Sequence, residues 1–220
     1  MRIPLLVPSI AVLLALPATT AAQSAGSGQP GRRALLPRGE EVALARSAAP
    51  AELSANASVW VLGEDGYVLA AAGTSGAACF VSRDWVASLE PVCYDPEGAA
   101  TIMRIGMRRV ELLHRGRSVA EVDAEVARAI GAGELKLPRR VAVAYMQSSA
   151  QKLVSDDGTG VGAWRPHLML YQPYLSAADL GVAQSDGLSS VMLVDGGTPV
   201  SMMMIVVPDW VQPGAAPSPG

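Results

Sequence analysis

The chain has 220 residues, half of them apolar, so it is long enough to build one domain around a sizeable hydrophobic core. Its 17 Lys and Arg residues stand against 20 Asp and Glu residues, and the formal net charge of −3 excludes the strongly basic surface typical of nucleic-acid binding. The composition also excludes collagen, a coiled coil and a wholly disordered chain.

The first 22 residues have the pattern of a secretory signal peptide. A positive start at Arg2 precedes an apolar stretch from Ile3 to Leu16, and the small residues of 17–22 follow it. A retained membrane anchor is the alternative, but the apolar stretch is shorter than the about 20 residues that a spanning helix needs. We predict cleavage before Gln23 and a soluble mature chain without a membrane span.

The predicted location is a bacterial periplasm or the cell exterior. Arginine outnumbers lysine by 15 to 2, and Ala, Gly and Val are abundant. This bias is typical of a GC-rich bacterial genome and does not indicate a basic binding surface.

Composition divides the mature chain into three parts. Residues 23–39 are rich in Gly, Ser and Pro and lack periodicity, which predicts a flexible linker. Residues 40–207 are predicted to form a single globular domain. Residues 208–220 have the composition of the linker again, which predicts a disordered tail.

The domain is predicted to begin with a helix followed by a hairpin. Helix formers with acidic residues in the first turn predict a short N-terminal helix over 40–48, which Pro50 ends. Two β-prone runs, 58–62 and 67–69, are joined by a loop containing Asp-Gly, which is typical of a hairpin. Two more short strands are predicted over 77–81 and 92–94.

A helical hairpin is predicted over about 99–131. Apolar residues recur with period 3.6 over 99–114, Gly116 ends this helix, and Ser118 with Glu121 predicts a capping box for the second. Four later strands are predicted over 141–146, 168–171, 191–194 and 200–207. Because strands and helices do not alternate regularly, we predict an α+β domain with a mostly antiparallel sheet. A doubly wound α/β fold is the alternative.

Cys79 and Cys93 are predicted to form a disulfide. They are the two cysteines of a chain with an export signal, and thirteen residues separate them. Two alternatives remain at this level. The thiols could be free and buried, or one could be a nucleophile activated by His167.

The segment 164–174 carries the candidate catalytic residues His167, Arg165 and Tyr171, with Tyr174 beside them. The clustering of imidazole, guanidinium and phenol groups supports a hydrolase site around His167 as an alternative hypothesis, with Arg165, Tyr171 or Tyr174 orienting a polar substrate. The favoured interpretation is a core histidine that anchors the segment.

The same segment suggests a metal carrier. In a strand, His167 and Met169 share one face and could bind copper or the iron of haem. The run Met202-Met203-Met204 does not add a site by itself, because Met203 faces away from its two neighbours. Since CxxC, HExxH and His-rich motifs are absent from the sequence, we predict no structural metal site and no cofactor.

Four arginines lie on one face of the first long helix: Arg104, Arg108, Arg109 and Arg115. They could bind an anion. The acidic residues Glu111, Glu121, Asp123 and Glu125 lie close enough in sequence to neutralise them, so we predict an ion-paired, solvated face.

The run ALARSAAPAEL, which starts at Ala43, and the run RPHLMLYQPYL over 165–175 resemble segments of a group of exported bacterial proteins with no assigned activity. The resemblance implies a secreted bacterial domain and carries over no functional residues. The favoured hypothesis is an exported domain that binds a small ligand or an envelope partner, because a chain with two histidines shows no matched nucleophile, base and orienting group. The sequence leaves enzymatic activity open.

Overall fold

A computed structural model describes residues 30–154, 161–181 and 191–214. The predicted signal peptide, residues 1–22, lies outside these ranges. No helix within them has the length and hydrophobicity needed to cross a membrane.

One eight-stranded sheet organises the protein. The strands of the described ranges are, in chain order, β1 Ser58–Gly63, β2 Gly66–Ala71, β3 Ala78–Ser82, β4 Glu90–Tyr94, β5 Ala142–Met146, β6 Leu153–Val154, β7 Val161–Gly162, β8 His167–Tyr171, β9 Val191–Val194 and β10 Met202–Val206. All belong to the large sheet except β6 and β7, which form a separate two-stranded sheet. The order across the large sheet is β2-β1-β3-β4-β5-β8-β10-β9. Neighbouring strands are antiparallel, except that β1 and β3 are parallel.

Six helices of the described ranges accompany the sheet: α1 Arg38–Arg46, α2 Ala51–Ser54, α3 Pro96–Ala100, α4 Ile102–His114, α5 Val119–Gly131 and α6 Ala177–Leu180. The predicted α+β class with a mostly antiparallel sheet is confirmed. The helical hairpin of α4 and α5 and the short N-terminal helix are present as well.

Local sequence explains where these elements begin and end. The β1–β2 hairpin turns at Gly66, whose φ of +139° is a backbone conformation that other residues rarely adopt. The predicted helix over 99–114 is divided at Thr101, and the Asp95 side chain caps α3 by accepting a bond from the Gly98 N–H. The predicted capping box of Ser118 and Glu121 starts α5.

The sheet has a separate core on each face. On the face we call the α4 face, α4 and α5 cover side chains that include Phe80, Val92, Tyr94 and Met169. On the opposite face, the α1 face, α1 packs over a smaller cluster that includes Val59, Cys79, Val81 and Cys93. Successive strand residues alternate between these two cores because side chains point to opposite faces with period two.

Contacts of the described residues reach outside the range 40–207 on both sides. Arg33, from the range predicted as a linker, is buried and donates from its backbone N–H to Nδ1 of His114 at 2.9 Å. Val211, from the range predicted as a tail, exchanges backbone hydrogen bonds with Gln147 and Ser149 at 2.7 and 3.0 Å. Glycine and proline content does not reveal such bonds.

Candidate functional site

His167 is enclosed at the start of β8, with 1% of its surface exposed. Its Nδ1 lies 2.6 Å from the Arg165 carbonyl oxygen, and because a carbonyl can only accept, Nδ1 carries the proton. Nε2 is then unprotonated, and it has no hydrogen-bond partner among the described residues. Burial lowers the pKa of His167, so the ring is neutral at pH 7.

The other candidates of this segment do not join His167 in an open site. Arg165 is exposed, and its carbonyl rather than its guanidinium contacts the ring. Tyr171 is buried and donates its hydroxyl to Sδ of Met169 at 3.4 Å, whereas Tyr174 is 57% exposed beyond the other end of β8. The hydrolase hypothesis required His167 to line an open pocket, so the enclosed ring removes its main support.

Cys79 and Cys93 form the predicted disulfide. They are directly opposite each other on β3 and β4, their Cα atoms are 4.0 Å apart, and both are fully buried. Neither sulfur is a free thiol in this form, which removes the alternative of a cysteine nucleophile paired with His167.

The arginines of α4 are largely engaged by neighbours. Arg108 pairs with Glu125 at 2.9 Å, Arg109 pairs with Asp123, and the guanidinium of Arg104 lies 4.5 Å from the ring centre of Trp60. This arrangement is the ion-paired face that the sequence predicts rather than an anion site.

A buried cluster of charged residues, which we call the charged centre, lies where α1 meets the end of β3. Its members are Arg33, Glu41, Arg83, Asp84 and Glu90. Arg83 and Glu41 form an ion pair at 2.9 Å with both side chains fully buried. Oε1 of Glu41 also accepts the Leu62 N–H at 2.9 Å, so this carboxylate joins α1 to β1 and β3.

The charged centre also holds the segment that precedes α1. Nε of Arg33 donates to the Arg83 carbonyl at 3.0 Å, and Nη2 donates to the Asp84 carbonyl at 2.8 Å. Nε and Nη2 of Arg83 and Oε2 of Glu41 are buried without a partner among the described residues. A buried donor without a partner is costly, so Arg83 retains capacity to bind an acceptor.

Two carboxyl groups of the charged centre have raised pKa values. Burial, reinforced by the nearby Asp84 carboxyl, raises the pKa of Glu90 well above its usual range, although the Asp84 N–H donates to it. Burial also raises the pKa of Asp84, and Arg109 and Arg33 oppose that rise. The folded protein therefore retains protons here at pH values where the unfolded chain has lost them.

This retention predicts that Glu90 makes stability fall as pH rises. The unfolded Glu loses its proton near pH 4.3, so between that pH and the raised folded pKa the folded state binds more protons and the free energy of unfolding decreases. Glu90→Gln should flatten this dependence in urea titrations between pH 4 and 8. Glu52→Gln, at an exposed helix position, is the control, and an unchanged pH profile for Glu90→Gln would contradict the assignment.

A cavity of about 250 Å³ adjoins the charged centre. Its lining is mostly apolar and includes Ala34, Leu36, Val86 and Leu89, together with Arg83 and Lys152. Lys152 is exposed and has no ion pair among the described residues. The cavity is thus an apolar recess with cationic residues in its wall, a composition that suits a small apolar anion.

Sequence reasoning did not identify the charged centre, although part of the signal was present. Glu41 precedes Leu44, Ala45 and Ala48 by three, four and seven residues, so helical spacing places it on the buried face of α1. Arg83 follows the buried residues Cys79 and Val81 at the same two-residue spacing, so strand geometry places it on their face of the sheet. No local pattern distinguishes Arg33, because its burial depends on a contact between distant segments.

Comparisons of the chain with protein-family models, with curated proteins and with solved structures found no match. Within the described ranges, no group of three or more His, Cys, Asp or Glu side chains is arranged to hold a metal ion. Function must therefore be inferred from the geometry of the chain itself.

Proposed function

We propose that this protein is an exported bacterial domain that binds a small apolar anion in the cavity beside the charged centre. The observation that carries the proposal is the composition of that cavity, in which apolar side chains surround a recess whose wall includes Arg83 and Lys152. The signal-peptide pattern of residues 1–22 supports export.

The chemistry of the lining indicates the ligand class. Leu36, Val86 and Leu89 offer apolar contact, and burial of apolar area provides most of the binding energy of a small ligand. The exposed ammonium of Lys152, which has no ion pair among the described residues, favours a carboxylate. The volume is below the about 300–1,000 Å³ of drug-sized sites, so a short acyl carboxylate is the best match.

Calorimetric titration of the mature protein with octanoate tests this proposal. We expect saturable binding of one molecule per chain, and weaker binding of the uncharged octanol. Lys152→Ala should weaken octanoate binding by about two- to fivefold, the range expected for an exposed ion pair, and should leave octanol binding unchanged.

Two further variants make the result specific to the cavity. Ala34→Phe should reduce binding of both ligands, because the larger side chain occupies space in the wall. Lys136→Ala, at an exposed lysine that does not line the cavity, is the matched control and should bind like the wild type. Absence of octanoate binding, or binding that Ala34→Phe does not change, would overturn the proposal.

Three other hypotheses raised by the sequence stay predictions: an envelope partner, a hydrolase around His167, and a haem or copper carrier using His167 and Met169. An envelope partner in place of a small ligand would leave the cavity without a role. A hydrolase around His167 would require the enclosed ring to become accessible, since its exposed fraction is 1%.

A further inference from the structure

We propose a Cu(I) site on the α4 face of the sheet, formed by Nε2 of His167 and the thioethers of Met169 and Met204. This site lies on two adjacent strands, β8 and β10, and is separate from the cavity of the proposed function.

Strand register brings the three side chains to one face. Met169 is two residues after His167 on the same strand, and Met204 is directly opposite Met169 and diagonal to His167. Directly paired residues of antiparallel strands have Cβ atoms about 4.5–5.5 Å apart, and diagonal neighbours are about 7–8 Å apart. The long, flexible side chain of methionine can span such distances to a shared ion.

The protonation and the hydrogen bond of His167 are those of a metal-binding histidine. Its Nδ1–H donates to the Arg165 carbonyl, which orients the ring and leaves the lone pair on Nε2. Metal-binding histidines generally donate their second N–H to a carbonyl or carboxylate in this way. Nε2 is buried without a hydrogen-bond partner among the described residues. This arrangement costs free energy unless a metal ion or a donor uses the lone pair of Nε2.

The donor set selects the metal. Thioethers favour Cu(I), and imidazole is also a good copper ligand, whereas Mg²⁺ and Ca²⁺ require oxygen donors. The two methionines are each at most 8% exposed, so a bound ion would be shielded from water. Tyr171 donates to Sδ of Met169, a contact that would orient this sulfur.

A row of methionines also offers an entry path. On the edge strand β9, the partly exposed Met192 is directly opposite Met204, which is directly opposite Met169. An ion could therefore pass from sulfur to sulfur towards His167. The sequence suggests the pair His167 and Met169, but it does not place Met204 beside them, because that contact depends on the register of β8 and β10.

Competition between the mature protein and bicinchoninate for Cu(I), under anaerobic conditions, tests the inference. We expect one equivalent of Cu(I) to move from the chelator to the protein. Met169→Leu and Met204→Leu keep the side-chain volume, so each should fold and weaken Cu(I) binding by about tenfold or more. Met203→Leu, on the opposite face of β10, is the matched control and should bind like the wild type.

A second measurement uses Ag(I), which has no redox chemistry under these conditions, and protein with ¹³C-labelled methionine methyl groups. The methyl resonances of Met169 and Met204 should shift on titration, while that of Met203 should not. No Cu(I) transfer, or equal losses in the Met203 control and the two site variants, would overturn the inference. The cavity proposed for octanoate lies on the other face of the sheet, so either proposal can fail without the other.

Discussion

Removal of the Cys79–Cys93 disulfide should lower the free energy of unfolding by about 2–4 kcal/mol, the effect expected when a loop of about 15 residues is no longer closed in the unfolded chain. The bridge joins directly opposed residues of β3 and β4 at the centre of the α1-face core. Cys79→Ala with Cys93→Ala removes the bridge and adds no polar group to this core.

Urea unfolding of the oxidised wild type and the double alanine variant, with and without reductant, measures this effect. The reductant should lower the midpoint of the wild type and leave that of the variant unchanged. Both sulfurs are fully buried, so reduction should require partial opening and proceed slowly under native conditions. Two alkylatable thiols in unreduced, denatured protein, or equal midpoints for both proteins, would contradict the prediction.

Glu41→Gln should destabilise the protein by about 3–5 kcal/mol, the range for removing one partner of a buried ion pair. The amide oxygen of Gln can still accept from Leu62, so the loss reports the uncompensated charge of Arg83 rather than a missing hydrogen bond. Glu41 is the ion-pair partner of Arg83 among the described residues, and both side chains are fully buried.

Two variants distinguish this explanation from general damage to α1. Glu40→Gln, at the adjacent exposed position, should change stability by less than about 0.5 kcal/mol. Glu41→Gln combined with Arg83→Met should recover much of the loss, because the buried charge is removed together with its partner. If urea unfolding shows that the double variant is less stable than Glu41→Gln alone, the uncompensated charge is not the cause.

The two proposed sites depend on opposite faces of the same sheet. The cavity adjoins Leu36 and Leu89, which pack against the α1-face core, whereas the Cu(I) site lies on the α4 face, where Met169 belongs to the core. The charged centre stabilises the wall of the cavity through Arg33 and Arg83. Glu41→Gln should therefore weaken octanoate binding more than Cu(I) binding.

Sequence patterns predicted much of the fold because the responsible forces are local. The capping box at Ser118 satisfies backbone N–H groups within one turn, and the 3.6-residue period of α4 and the alternation of β8 report burial along one element. The division of the helix at Thr101 was missed, since apolar spacing on both sides of the break stays compatible with one helix.

The sequence by itself determined the α+β class, most strands, the helical hairpin and the pairing of Cys79 with Cys93, because periodicity, caps and two cysteines leave few alternatives. Only the tertiary structure decided the parallel contact of β1 with β3, the burial of Arg33 against Arg83 and the register that places Met204 opposite Met169. These features join segments far apart in the chain, so no local propensity encodes them. The candidate sites belong to this second group, since each is assembled from separate segments that meet only when the sheet forms.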